Sequence, residues 1–527
     1  MTATKARLAG LLPAPVWIVY SAGTGAVSGA MAIAFYFCVD LATRWLLGSA
    51  GYHPATFAAQ PGGFHVASGF SWPWLIPLLT GAVAFAAAVL VYRTAPETVG
   101  HGTDVAIRAI NNAPTGMRLR AMPVKMIASA ATIGAGGSAG SEGPTAQMAA
   151  TTASAIARLL RLDYRDARTL VTAGLAAGVG AIFRAPLGGA MLGVELLFRR
   201  DRELAMLVPS LIASIVAYAE FGAVYGYAPM FGHVPGMGLT LSAQLVLFPV
   251  LGAACGLLAR GYAKAFYWTE GLFGRLRIWR PLRVGAGGVL AGALGLAVPG
   301  VLGTGYGTIQ YVFSGDRVMS LSLLVLIAMP FAKIVGTSLT VGSGGSGGVF
   351  GPGMVAGATM GALLWRLAVL AGIGVAPASP ALLAAVGMAA CLGAAIRAPV
   401  AITLIAAETT RSLWVLPAAL LAVPIAVAFM GGESLYHAQP RDRAELAALR
   451  EGDGGSAAPP ERVPSPVPEP VPAPLDETAD EPQLIGEPRP AGAPLTIPRP
   501  VTGSYSPAPA PEISGQARPD WLSRGFI

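Results

Sequence analysis

Glu142 is the side chain of this 527-residue chain whose setting most clearly predicts chemistry. It lies in the segment GGSAGSEGP at 136–144, and a second segment, GGSGGVFGP at 344–352, agrees with it at six of nine positions. Dense glycine leaves backbone N–H groups uncovered, and the proline near each segment's end suits the first turn of a helix. Because helix N-termini attract negative charge, the pair predicts an anion site. The carboxylate of Glu142 is expected where that anion would bind.

The elements that position these segments are duplicated along the chain. Three further pairs recur in the same order: AMPVK at 121–125 with AMPFAK at 328–333, FRAPLGGAMLGVE at 183–195 with IRAPVAITLIAAE at 396–408, and, more weakly, GHGTD at 100–104 with GTGYG at 303–307. We therefore predict two repeats, at about 20–225 and 240–435. Duplicated membrane units often face each other as inverted repeats, with the ligand site where broken helices meet.

Composition indicates a membrane protein. The chain is 54% hydrophobic and only 12% charged, with a mean hydropathy of +0.60, which excludes an ordinary soluble globular protein. Weakly charged runs recur, some of spanning length and others interrupted by Gly and Pro. We predict an all-α polytopic membrane protein with roughly 10 to 18 helical segments of tilted and broken helices. No small-residue cleavage site follows the first apolar run, so a removable signal peptide is not expected.

The two ends of the chain differ from the apolar region. Residues 1–14 are predicted to form a cytoplasmic segment, 15–440 the membrane domain, and 441–527 a disordered, acidic, Pro-rich tail without CBS domains. The net charge is +8, and basic residues flank apolar runs, which predicts that both termini are cytoplasmic. Because these basic residues flank membrane segments and do not form a basic patch, nucleic-acid binding is not expected.

Motifs for other chemistry are missing from the sequence. The three cysteines lie alone in apolar segments, and the chain has no HExxH, GxSxG or Walker A motif. We therefore expect no metal, no cofactor and no enzymatic activity.

Four ordered motifs on the duplicated unit resemble the CLC chloride channels and transporters. They are GSEGP at 140–144, GGVFGP at 347–352, RAPL at 184–187 and SLYHAQ at 434–439, and PVK at 123–125 also matches. The resemblance implies the CLC-like fold of two inverted repeats, in a homodimer of the bacterial inner membrane. It also implies one pathway per subunit for chloride, lined by helix N-termini and closed by a glutamate.

The resemblance extends to single residues. Glu142 matches the gating glutamate, and Lys125 either extends to the interface or raises the electrostatic potential along the pathway. Glu195 and Glu408 occupy equivalent repeat positions, which favours a capping role. The anion-binding candidates are His101, Gly102, Ser141, Gly143, Gly348, Val349, Phe350 and Tyr436.

Departures from the family pattern leave two questions open. His101 stands where the family has a serine at the anion site, so selectivity among chloride, nitrate, bromide and fluoride is undetermined. Leu196 stands where many exchangers carry an inner proton-accepting glutamate. Either the adjacent Glu195 or water then carries protons, or the protein conducts passively. We favour a Glu142-gated channel slightly over the alternative, a proton-coupled chloride antiporter.

Overall fold

The computed structural model describes residues 14–234, 244–373 and 380–452. Within these ranges the protein is helical and contains no strand beyond one isolated bridge between two glycines. The predicted tail lies outside the described residues from 453 onward, as do 1–13 and the start of the second repeat at 240–243. The all-α membrane fold expected from the sequence is confirmed.

Eighteen α-helices lie in the described residues, and seventeen of them fall into two sets in chain order. The first set is α1 (Ala14–Ser49), α2 (Leu75–Thr94), α3 (Thr103–Asn112), α4 (Ala121–Gly134), α5 (Glu142–Leu159), α6 (Tyr164–Phe183), α7 (Pro186–Glu195) and α8 (Leu207–Tyr225). The second is α9 (Gln244–Arg275), α10 (Arg280–Ala297), α11 (Tyr306–Val312), α12 (Gly315–Ser320), α13 (Leu323–Val341), α14 (Phe350–Leu370), α15 (Ala381–Ala395), α16 (Pro399–Thr410) and α17 (Val415–Met430). Apart from the short α12, each helix of one set has its counterpart in the other.

Equivalent helices of the two repeats pack antiparallel. In the α2–α10 pair, a β-carbon at Gly292 would lie 2.8 Å from the Cα atom of Pro77, and one at Gly288 would lie 2.8 Å from the carbonyl oxygen of Thr80. One at Gly285, earlier in α10, would instead lie 3.1 Å from Cβ of Phe85, later in α2. Because equivalent helices run in opposite directions, the axis that relates the repeats lies across the helices, and the repeats are inverted.

The repeated RAP motif explains how α6 and α15 break into new helices. Arg184 and Arg397 have φ of 55° and 59°, a left-handed conformation that ends a helix. The prolines at 186 and 399 then begin α7 and α16, where a missing N–H costs nothing. Each arginine donates to carbonyl groups beyond the last helix of its own repeat, at Ala228 and Glu433 respectively. The motif therefore holds a sharp turn inside the membrane region.

The described chain continues in a helix past residue 441, where the tail is predicted to start. We expected disorder from 441, but Arg443–Gly452 forms an eighteenth helix, α18. Nη2 of Arg443 lies 3.2 Å from Oε2 of Glu203, and the backbone N–H of Arg443 donates to Oδ2 of Asp201 at 2.9 Å. These contacts anchor the helix on the loop after α7. One is an ion pair, and the other is a hydrogen bond from a backbone N–H to a carboxylate.

Seven helices are long and apolar enough to cross a membrane among those described. Four shorter apolar helices, α4, α15, α16 and α17, have 12 to 16 residues. Several helices therefore begin or end within the apolar layer, which is tolerated where their ends are buried in protein. The N-termini of α5 and α14 are two such ends.

Candidate functional site

The glycine-rich segments meet through their backbones. The N–H of Gly140 donates to the carbonyl of Gly348 at 2.7 Å, and the reverse bond has the same length. A β-carbon at Gly348 would lie only 2.8 Å from the carbonyl oxygen of Gly140, so the two backbones touch. The N-termini of α5 and α14 therefore converge on one point, as the sequence predicts.

The carboxylate of Glu142 lies between these two helix N-termini. Its Oε2 accepts from the N–H of Gly351 at 3.2 Å, and its Oε1 accepts from the hydroxyl of Ser141 at 2.8 Å. The residue is 1% exposed and begins α5, while Gly351 belongs to the first turn of α14. A buried negative charge is stabilised by donors and by the positive ends of two helix dipoles. The carboxylate thus occupies a position built to hold an anion.

Tyr306 is a partner of Glu142 that the sequence analysis missed. Its hydroxyl donates to Oε1 of the carboxylate. Tyr306 begins α11 and pairs in the repeat alignment with Thr103, the first residue of α3. The weak match between GHGTD and GTGYG was the available signal, because it aligns both residues at the start of equivalent helices.

Two cavities approach the site, and they are equivalent under the repeat symmetry. One, of about 130 Å³, is lined by the second half of α1 and the start of α11, including Ser141 and Tyr306. The other, of about 290 Å³, is lined by the equivalent α9 and α3, including His101 and Gly102. The two share no lining residue. Because the repeats are inverted, equivalent cavities face opposite ends of the helices, and two hydrogen-bond partners of Glu142, Ser141 and Tyr306, line the first of them.

Three buried polar atoms near the second cavity have no hydrogen-bond partner among the described residues. They are Nδ1 of His101, the hydroxyl of Thr103 and the hydroxyl of Tyr436. The ring centroids of His101 and Tyr436 are 5.2 Å apart, and the hydroxyl of Thr103 neighbours that of Tyr436. Unpaired buried polar groups are costly, so their presence together points to a ligand that would satisfy them. Thr103, like Tyr306, was not predicted.

The remaining predicted anion-binding residues surround this cluster with one exception. Val349 and Phe350 lie at the start of α14, where helical bonding leaves N–H groups free, and the Phe350 ring is 5.9 Å from that of Tyr436. Gly102 caps α3, and Gly143 follows Glu142 in α5. Gly348 does not fit the prediction. Its N–H is already bonded to Gly140, which leaves no donor for an anion.

Lys125 does not extend to the interface. Its side chain is fully buried, and Nζ donates to the carbonyls of Thr98 at 3.0 Å and Gly100 at 2.6 Å. Lys333, its counterpart, donates in the same way to Val301 and Gly303. Both lysines therefore hold the chain just before α3 and α11. Lys125 also lies beside Gly102, which lines the second cavity.

Glu195 and Glu408 each cap the N-terminus of a helix in the other repeat. Oε2 of Glu195 accepts from the N–H of Ala401 in α16, and Glu408 accepts from Leu187 and Gly188 in α7. Nε of Arg202 also lies 3.0 Å from Oε1 of Glu195, although not in line for a hydrogen bond. The predicted capping contacts are present. A carboxylate held in this way is poorly suited to carry protons, so the geometry favours capping over the predicted proton relay.

Leu196, directly after Glu195, is buried and ends α7. Its carbonyl accepts from the side chain of Gln439 at 2.8 Å, which ties this helix end to the segment that carries Tyr436. An aliphatic side chain at this position has no group that binds a proton. Any proton path to Glu142 must therefore use other residues or water.

Comparisons with known proteins agree with this geometry. The family model described as voltage gated chloride channel matches residues 83–431. A putative chloride channel protein ClcB-like from Ralstonia nicotianae is 29% identical over 84% of this chain and 99% of its own length. The H(+)/Cl(-) exchange transporter ClcA of Vibrio parahaemolyticus is 30% identical over 69% of this chain and 79% of its own. A solved structure, that of a slow cyanobacterial Cl-/H+ antiporter, shares the fold with a TM-score of 0.69 at 22% identity, covering 85% of this chain and 100% of its own.

Proposed function

Because this chain belongs to the voltage gated chloride channel family, the CLC family, we propose that it exchanges chloride for protons with Glu142 as its gate. Membership establishes a multi-pass membrane protein of anion transport. Proton coupling is supported by the similarity to an exchange transporter from Vibrio parahaemolyticus and to the fold of a cyanobacterial antiporter. The slight preference for a channel, which the sequence analysis drew from Leu196, receives less support from these similarities.

The observation that carries the proposal is the position of the Glu142 carboxylate. It accepts hydrogen bonds from Ser141, Tyr306 and the N–H of Gly351 at two converging helix N-termini. Chloride needs the same donors, so the anion and the carboxylate compete for one position. Protonation of Glu142 removes its charge and weakens its hold on these donors. Chloride entry and proton uptake therefore favour each other, which is the basis of exchange.

We propose that the second cavity opens to the cytoplasm. Arg168 pairs with Glu203 at 3.0 Å, Arg443 pairs with the same carboxylate, and Arg199 donates to the carbonyl of Gln439. These contacts join α6, the loop after α7 and α18 into one basic end of the molecule. An excess of basic residues is typical of the cytoplasmic side.

The termini of the described chain support the same orientation. In α1, Gly25 packs against Ala213 of α8 and Gly29 against Ala217, so the two helices run parallel. The basic loop directly precedes α8, and α1 runs parallel to α8, so α1 also begins at the basic end of the molecule. The helix α18 lies at the same end. We therefore propose a protein of the cell membrane, the inner membrane in a bacterium, with both termini cytoplasmic. The homodimer implied by the family is part of this proposal and is tested by chemical cross-linking in membranes.

Simultaneous flux measurements test the proposed exchange. The full chain is reconstituted in liposomes with a chloride gradient and no pH gradient, and chloride efflux and proton uptake are recorded together. We expect chloride to drive protons uphill, and Glu142→Gln to stop proton movement while chloride still flows. Glu97→Gln, a carboxylate outside the anion site, serves as the matched control. Chloride flux without proton movement in the wild type would instead indicate the passive channel that Leu196 suggests.

A further inference from the structure

We propose that His101 carries the proton between the second cavity and Glu142. It would replace the carboxylate that the chain lacks at Leu196. The inference rests on the proposed proton coupling. It assigns to an imidazole next to the anion site the task that Leu196 cannot perform, because imidazole gains and loses a proton near neutral pH.

His101 lies between the cavity and the anion site. It lines the 290 Å³ cavity, although its own exposure is only 7%. On its other side, its ring is 5.2 Å from that of Tyr436, and its carbonyl oxygen would lie 2.4 Å from a β-carbon at Gly143. Gly143 directly follows Glu142. A carboxylate that leaves Tyr306 and turns toward Tyr436 therefore approaches the imidazole.

The two ring nitrogens of His101 have different surroundings. Nε2 lies 3.5 Å from Oδ2 of Asp104, whose Oδ1 accepts from the N–H of Ala438. A carboxylate beside Nε2 favours the tautomer that keeps a proton there. Nδ1 is buried and has no hydrogen-bond partner in the described part of the chain. Nδ1 is then the atom that accepts and releases the transported proton.

The transfer balances without any further reactant. A hydronium ion in the cavity gives its proton to the lone pair of Nδ1, which leaves water and an imidazolium. When the carboxylate of Glu142 turns inward, the Nδ1–H bond breaks and the proton forms an O–H bond on Glu142. The imidazole returns to its neutral form, and Glu142 leaves the anion site uncharged. The reverse sequence moves a proton in the other direction.

Charged and titratable groups from several neighbouring elements face the region of His101. Asp104 and Glu270 contribute negative charge to the cavity wall, and Arg280 and Arg283 contribute positive charge. The others facing this region are Tyr267, Tyr436 and His437. Glu270 is exposed and lies in the cavity wall, so it is suited to collect protons from solvent for His101.

Substitution of His101 tests the inference in the reconstituted full chain. His101→Gln retains a polar side chain but binds no proton, so we expect proton flux to fall about 100-fold, as when a positioned acid–base group is lost, while chloride flux continues. His101→Glu, which again binds a proton, should restore part of the proton flux. His65→Gln is the matched control, because His65 is exposed and lines neither cavity.

The outcomes separate this inference from the proposed function. A wild type that moves no protons overturns both. A coupled wild type together with a coupled His101→Gln variant overturns the inference alone. If His101→Gln carries no chloride, Asp104→Asn is measured in its place, because it retains the imidazole but frees Nε2. A reduced proton-to-chloride ratio in Asp104→Asn supports the inference, and an unchanged ratio overturns it.

Discussion

The hydroxyl of Tyr306 donates a hydrogen bond to Oε1 of Glu142, although 164 residues separate the two in the chain. The bond joins the first helical residue of α11, in the second repeat, to the first helical residue of α5, in the first. One repeat thus supplies the carboxylate and the other supplies two of its donors, Tyr306 and the N–H of Gly351.

Tyr306→Phe is expected to speed chloride turnover. The change removes a donor to a buried charge, a bond worth about 1.5–3 kcal/mol, so the carboxylate should leave its position roughly tenfold to 100-fold more readily. Chloride efflux from liposomes measures the effect. Tyr311→Phe, at the other end of the same helix, is the control and should leave the rate unchanged. Equal rates in all three proteins would mean that the Tyr306 hydroxyl does not hold the gate.

Tyr436→Phe is expected to weaken chloride binding with little loss of stability. The Tyr436 hydroxyl is buried beside the hydroxyl of Thr103 and meets no strict hydrogen-bond geometry among the described residues, so its removal gives up little within the protein. A lost hydrogen bond to an anion should weaken binding about tenfold to 100-fold, measured by titration calorimetry. Thr103→Val should act in the same direction. A large fall in the unfolding temperature with unchanged chloride affinity would indicate a structural role instead.

Lys125→Met and Lys333→Met form a matched pair. Each leaves two buried carbonyls without their donor, which costs about 1–3 kcal/mol per group, so both should lower the unfolding temperature in detergent. Only Lys125 lies beside Gly102 and the second cavity, so only its substitution should also weaken chloride binding. Equal loss of affinity in both variants would contradict this local effect of Lys125.

Glu195→Gln is expected to leave the proton-to-chloride ratio unchanged. The glutamine oxygen can still accept from the N–H of Ala401, which preserves the cap. Glu195→Ala loses it and should cost about 0.5–2 kcal/mol, as should Glu408→Ala in the other repeat. Thermal unfolding and paired flux measurements check both parts. Loss of proton movement in Glu195→Gln would identify Glu195 as the relay and remove the need for His101.

Much of the fold could be predicted because the duplication leaves its pattern in the sequence. The glycine segments, the RAP turns and the two capping glutamates all recur at nearly constant spacing. The direction of the second repeat leaves no such trace, since chain order is the same for parallel and inverted units. It became visible only from contacts such as those of Gly288 and Gly292 with α2.

The site was predictable where one segment contains its residues, as for Glu142 and Ser141. Tyr306 was missed because its partner lies in the other repeat and its own motif matched only weakly. The prediction for Gly348 failed because a glycine-rich sequence shows how many N–H groups exist but not which of them are already bonded. Lys125 was left between two roles because its acceptors are carbonyls, which any sequence provides.

The bridge between Gly140 and Gly348 consists of main-chain atoms only, and this has a consequence for how the two halves could diverge. A side chain at either glycine would collide with the opposite backbone, so these positions tolerate no change. The side chains of Ser141, Glu142, Val349 and Phe350 take no part in this two-glycine bridge. Ser141 and Glu142 could therefore arise in one repeat while Val349 and Phe350 arose in the other, without disturbing the bridge between the two glycines. A symmetric scaffold in this way permits an asymmetric gate.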